Sequence, residues 1–197
     1  MFAIAIIAVV LSFLASVIGW FATYLLTVRA QDRLLSCQLL GEARIEISSC
    51  LVAYEQWLKD LQVWLNYCGP GVTSINPGFA KTIGSAIAQL MSDRKASSDW
   101  ESALLTWQSI LPKLSTFGES LSGEQDHLLG LFASDARLLR DRAVDMSQQK
   151  LLNAIKRMAQ ARPPLEQHID AVSQARSLID EECLAPVADR LKSLRRF

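Results

Sequence analysis

From Met1 to Val28 the chain carries no charged side chain, and FAIAIIAVVLSFLASVIGWFATYLL exceeds the roughly 20 residues a helix needs to cross about 30 Å of hydrocarbon. This run is expected to be a membrane span. Trp20 and Tyr24 lie near its C-terminal end, where amphipathic rings favour the interface, and Arg29 and Arg33 follow at once. A cleaved signal peptide would instead show a basic n-region and a shorter apolar core. Basic residues flanking a span tend to stay in the cytoplasm, so Arg29, Arg33 and Arg44 predict an outside N-terminus and a cytoplasmic soluble part. Cys37, Cys50, Cys68 and Cys183 would then be in a reducing compartment. Their irregular spacing fits no zinc or redox motif, and they read as small core residues.

The remainder is long enough for one domain with a real core. Half of the 197 residues are apolar, which disfavours disorder, and 20 basic residues balance 20 acidic ones. A net charge of zero removes the broad electrostatic case for nucleic acid as a partner. No internal repeat of fixed period and no low-complexity segment stands out.

Beyond the span, apolar residues recur at steps of three and four, and no strand pattern appears. The predicted fold is all-α, an N-terminal transmembrane helix followed by an antiparallel helical bundle. Its divisions are an anchor over 1–28, a cytoplasmic bundle over 29–162 and a C-terminal helical extension over 163–197. The first helix is expected to continue out of the membrane, with Ser48 and Ser49 as a place of interruption and CGPG at 68–71 as its stop. Asn76 before Pro77 predicts a helix start, with Phe79, Ile83, Ile87, Leu90 and Met91 on its apolar face. Ser98 with Glu101 spells a capping box, and Pro112 is expected to kink or end that helix. In FGESLSGEQD, Gly118 reads as a left-handed helix stop and Ser122 with Gln125 as the next start. A long helix should follow, with Leu128, Phe132, Ala136, Leu139, Ala143 and Met146 on its seam, to about Arg162. Pro163 and Pro164 should break it, and a last helix should end before Pro186.

Catalytic signals are missing from the sequence. His127 and His168 fall on different predicted helices without a companion at ligand spacing, and both read as surface or bundle-edge residues. There is no phosphate-binding glycine loop and no G-x-S-x-G elbow. The expectation is a protein without catalytic residues, metal or cofactor. Trp57 with Trp64, and Trp100 with Trp107, each sit two turns apart on one helix face, either as core or as an exposed patch for a partner. The basic tail RLKSLRRF reads as a solvated helix end, or as a segment pressed onto anionic lipid.

The order of these features resembles the stage III sporulation protein AB family. That family shows an A-W-x-x-A-L-like helix and then F-G-x-x-L-G. Trp100, Ala103 and Leu104 occupy the first pattern here, and Phe117, Gly118 and Leu121 the second. GESLSG, which includes Glu119, Ser122 and Gly123, is also similar to the GE-x-S-G segment of type II secretion F-type platform proteins. Ser122 stands where the family has glycine, and polar helices stand where the family has a second span. The resemblance implies a non-catalytic assembly component of a secretion-like envelope complex, with a cytoplasmic ATPase and other membrane subunits as partners, in the channel between mother cell and forespore. On that reading residues 117–123 are an interaction motif. The alternatives are a membrane-anchored helical sensor or adaptor that binds a ligand or soluble protein, and an enzyme whose site forms only in an oligomer.

Overall fold

The computed structural model describes residues 2–69 and 71–194, with side chains over 11–189, Pro70 excepted, and at Lys192. The protein is all-α, and no strand occurs among the described residues. Among the described residues six helices follow one another: α1 (Phe2–Asn66), α2 (Pro77–Ser92), α3 (Lys95–Trp107), α4 (Pro112–Arg142), α5 (Gln148–Ala159) and α6 (Arg162–Leu194). A 3-10 turn, Ala143–Asp145, separates α4 from α5.

Helix α1 sets the layout. Its 65 residues extend about 97 Å at the usual rise. Among the described residues it is the one helix long and apolar enough to cross a membrane, and none of its most apolar stretch is covered by the protein. No break separates the apolar run from the bundle, nor do Ser48 and Ser49 interrupt the helix. Ser49 Oγ donates back to the Glu46 carbonyl at 2.8 Å, so this hydroxyl is satisfied without opening the helix. The helix ends at Asn66, beside the expected stop, although Pro70 itself lies outside the described residues.

From Leu40 onward one side of α1 is core. Ala43, Ile47, Leu51, Tyr54, Leu58, Leu61 and Leu65 recur at three and four residues, and all are buried. Helices α3 and α6 run antiparallel to α1. Trp107 meets Glu46 while Trp100 stacks on Tyr54, and Asp180 meets Arg44 while Glu166 meets Gln62. Helix α4 runs antiparallel to α3 in turn, with Ser122 on Glu101 and Gln125 on Ser97. Residues 163–189 are therefore part of the bundle rather than an extension to it. Leu165, Ile169, Val172, Ala175, Ile179 and Cys183 share one core with α1 and α4. Arg195, Arg196 and Phe197, the end of the basic tail, lie outside the described residues.

Several helix starts differ from expectation because tertiary partners replace local caps. Asn76 does cap α2, accepting the Gly78 N–H at 2.7 Å, with Pro77 at the first helical position. Phe79 points away from that helix's core face and is exposed, while Ile83, Ile87 and Met91 are buried. Helix α3 begins a turn before Ser98, whose hydroxyl donates to the Lys95 carbonyl instead of capping. Glu101 likewise turns away to accept from Ser122. Pro112 opens α4 rather than ending a helix. The free N–H groups of Lys113 and Leu114 donate to the Glu182 carboxylate of α6 at 3.1 and 3.2 Å, which suits the positive end of a helix.

The helix expected to reach Arg162 stops at Arg142. The 3-10 turn and Ser147 fold α5 back, so that Leu151, Ala154, Ile155 and Met158 reach the core and Arg157 pairs with Asp135. Continued straight, that stripe would face water. Pro163 and Pro164 occupy the first turn of α6, where no backbone donor is needed. Pro186 lies inside α6, which continues to Leu194.

Candidate functional site

The stretch Phe117–Asp126 does not turn the chain. It is the middle of α4, and no glycine among the described residues has positive φ. Gly118 is buried, and a Cβ there would collide with the Leu104 side chain of α3 and sit 3.4 Å from the Trp100 ring. Its role is to let α3 and α4 approach closely. Gly84 serves the α2–α4 crossing in the same way, with Ala136 O and Arg140 N each 2.7 Å from where a Cβ would lie. Ser122 Oγ donates to Glu101 Oε1 at 2.9 Å, so it ties α4 to α3 and caps nothing.

Beneath this stretch a polar chain crosses the core. Gln125 Nε2 donates to Ser97 Oγ at 2.7 Å, which turns Gln125 Oε1 toward the Tyr54 hydroxyl at 2.6 Å. Tyr54 has one proton and gives it to Gln125. Its oxygen must then accept from His168, whose Nε2 lies 2.8 Å away, and this fixes the proton of a neutral imidazole on Nε2. Nδ1 faces Glu124 Oε2 at 3.5 Å. Ser97, Tyr54, Gln125 and His168 are at most 4 % exposed, so a buried hydrogen-bonded network joins four helices, with His168 Nδ1, an acceptor in this tautomer, left facing the Glu124 carboxylate.

Burial lowers the pKa of His168, and the Glu124 carboxylate opposes that shift. Burial also raises the Tyr54 phenol, helped by the charges of Glu101 and Asp126. The order carboxylate, imidazole, hydroxyl in Glu124, His168 and Tyr54 has the connectivity of a nucleophile relay, but the hydroxyl is fully buried and spends its proton on Gln125. No reacting atom can meet it. The chain fixes helix register instead. Sequence reasoning missed it by placing His168 at the surface or the bundle edge. The available signal was a polar residue within an apolar register: Tyr54 between Leu51 and Leu58, Gln125 between Leu121 and Leu129, and His168 between Leu165 and Val172.

Two open grooves flank the same part of α4. One, of about 300 Å³, lies against α3 and includes Trp100, Leu104, Leu105, Gly118 and Ser122. The other, of about 780 Å³, lies against α6 and includes Gly123, Glu124, His127, Gln167 and His168. Glu119 is exposed and borders both. The larger groove has two carboxylates and no lysine or arginine on its walls. Among the described residues no group of three or more His, Cys, Asp or Glu side chains is placed to hold a metal ion.

The expected interaction residues thus divide. Gly118 and Leu121 are buried, Phe117 and Ser122 are half-buried, and Glu119 and Gly123 are exposed. Each tryptophan pair also splits. Trp57 is buried with its N–H on the Leu90 carbonyl at 3.0 Å, and Trp100 is buried between α1 and α4. Trp64 and Trp107 are half-buried at the edge, Trp107 donating to Glu46 at 2.8 Å. Trp20 and Tyr24 stack on each other at 5.9 Å on uncovered α1, with Arg29 exposed and Arg33 half-buried just beyond. Cys68 and Cys183 are core residues, whereas Cys37 and Cys50 are half-buried. Burial pushes the Cys68 thiol up to about 12 and the Cys183 thiol to about 11.

No protein-family model, curated protein or solved structure matches the chain.

Proposed function

We propose that this chain is a single-pass membrane component without catalytic activity, whose helical bundle docks a protein partner at the α4 face centred on Glu119. The observation that carries the reading is the continuity of α1, in which one helix supplies both the apolar run and the bundle core. A bundle held that way is a fixed platform. Glu119 has no ion pair or side-chain hydrogen bond among the described residues, yet borders both grooves. Basic residues after the span support a cytoplasmic bundle with the N-terminus outside. The finer placement, in a secretion-like envelope complex with a cytoplasmic ATPase and other membrane subunits, rests on the motif order around Trp100 and Phe117. A sensor or adaptor for a soluble protein is the second reading, supported by the acidic groove over His168.

The test is recovery of partners from solubilised native membranes with the full chain and with Glu119→Lys. Loss of a specific partner while thermal stability is unchanged supports docking at this face. Unchanged recovery removes it. A secretion-type ATPase among the proteins lost selects the first reading, and a soluble protein of another class selects the second. Orientation is checked by a single cysteine placed in the bundle of a Cys-free variant. It should resist an impermeant thiol reagent in intact cells and react after lysis.

A further inference from the structure

Helix α6 runs further than the core requires. Among the described side chains, Cys183 is its last buried residue and Val187 the last packed against the core, yet the helix continues to Leu194. The course of that extra length follows from α1. Arg44 Nε donates to Asp180 at 2.9 Å, and a cleft joins Ser36, Leu39 and Leu40 of α1 to Glu182 and Pro186 of α6. Glu182 also accepts from the first N–H groups of α4, so this part of α6 is clamped from two sides. The two helices are antiparallel, and each residue along α6 returns about 1.5 Å along α1. Counted from Asp180 beside Arg44, Arg190 is level with about Leu34 and Leu194 with about Ala30.

The last turn of α6 thus arrives where the apolar run ends. With a bilayer surface at Val28, this turn lies about 3 to 9 Å above it, within roughly one screening length at physiological ionic strength. The layer is basic although the chain as a whole is neutral. It holds Arg29 and Arg33 on α1 and Arg190 and Lys192 on α6 against Asp32 and Asp189, and Arg195 and Arg196 follow in the sequence. Lys192 Nζ lies 3.6 Å from Asp189, but the two side chains are 76 and 79 % exposed, and water and salt weaken such a pair. The helix dipole favours cations at this end of α6, yet it does not explain their arrival at the height of Arg29 and Arg33.

We propose that the end of α6 binds anionic lipid headgroups at the surface from which α1 emerges, with Arg190, Lys192 and the two arginines after them as the cations. The inference rests on reading the N-terminal run as a span and is separate from docking at Glu119. That reading selects the occupant. A bilayer surface is a partner whose height on α1 is set by the chain itself, and the cytoplasmic leaflet, to which Arg29 and Arg33 assign the bundle, is the anionic one. Its phosphates and carboxylates accept charge-assisted bonds from guanidinium and ammonium groups. The bundle is then tied to the bilayer at two places, through α1 and on α6.

The experiment uses the full chain with a photoreactive benzophenone amino acid in place of Ser193, in nanodiscs of phosphatidylcholine with about a third phosphatidylserine, which makes the surface anionic. Lipid adducts at position 193 should favour phosphatidylserine over its share of the disc by at least about fivefold, the factor that one basic residue near such a surface supplies. The same group in place of Gln160, at the opposite end of the bundle, should form no lipid adduct. Arg190→Gln, Lys192→Gln, Arg195→Gln and Arg196→Gln together should return the adducts at 193 to the bulk ratio while helical circular dichroism is kept. High salt should do the same. Adducts in the bulk ratio from the unaltered chain, or a preference that survives the four exchanges, would each overturn the inference. So would a preference abolished by inorganic phosphate at constant ionic strength, which marks a site for the soluble anion. Alkaline carbonate extraction of native membranes tests the span separately. A released chain removes the height argument and the inference with it, whereas a retained chain with adducts in the bulk ratio keeps its span and loses only the tie at α6.

Discussion

Residues 11–35 and 40–65 of α1 are both rich in large apolar side chains, but only the second set is covered by the protein. Phe13 and Trp20 are 67 and 70 % exposed, whereas Leu58 and Leu61 are fully buried. The difference lies in arrangement. The first stretch is apolar on every side as far as Val28, with Arg29, Asp32 and Arg33 only near its end, while the second alternates a buried stripe with Arg44, Lys59 and Asp60 at the surface. One helix thus carries two different arrangements of apolar side chains. Its far half is fastened by α3 and α6, and its near half has no protein partner in a single chain.

The sharpest way to break that comparison is to truncate matching side chains. Leu58→Ala is expected to lower unfolding free energy by about 2 to 5 kcal/mol, the range for emptying a core site, as read by denaturant titration in detergent. Leu34→Ala should stay within about 0.5 kcal/mol in dilute detergent, where the chain is alone. Equal losses would mean that the two halves share one environment.

Tyr54→Phe comes next, because it removes a hydroxyl from the covered half without changing shape. Gln125 Oε1 and the His168 N–H lose their partner, at a cost of about 1 to 3 kcal/mol. A neutral result would show that water enters the network.

The pH response should also belong to the covered half. Burial depresses the folded-state pKa of His168, so below about 6.5 the unfolded chain binds a proton that the folded chain refuses. Stability is complete above that pH and falls as pH drops toward the folded pKa, by less than about 1.4 kcal/mol per unit, the ceiling for one group. His168→Gln should flatten this part of the curve. Unaltered curvature would assign it to other groups.

The smallest expected effect sharpens the contrast inside α4. Ser122→Ala removes its bond to Glu101, at about 0.5 to 1.5 kcal/mol, while Glu119→Lys leaves the melting temperature nearly unchanged. The two substitutions sit three residues apart. If Glu119→Lys destabilises more, the exposed face has a structural task.

Helix class, the long apolar start, the stop after Asn66 and the cap at Asn76 were legible because each depends on residues adjacent in sequence. The misreadings cluster where a side chain serves a distant partner. A glycine that needs positive φ and one that must lack a Cβ are written with the same letter, and Gly118 is of the second kind. Gln125 completes an S-x-x-Q pattern in the sequence but is held by Ser97 and Tyr54, 28 and 71 residues away. The start of α4 could not be read locally either, since its cap is Glu182 on the last helix. The candidate groove was hidden for the same reason. It forms only once α4 and α6 lie side by side.

The unbroken course of α1 also acts as a ruler. Tyr54, which holds His168 at the wall of the acidic groove, lies 26 residues beyond Val28, or about 39 Å along the helix. If the apolar run spans a bilayer whose surface lies at Val28, then, with a Debye length of about 8 Å at physiological ionic strength, the headgroup charge has decayed through several screening lengths at that height. Binding at the groove should then be indifferent to lipid composition. A partner confined to the bilayer surface could not touch it without an arm of comparable reach.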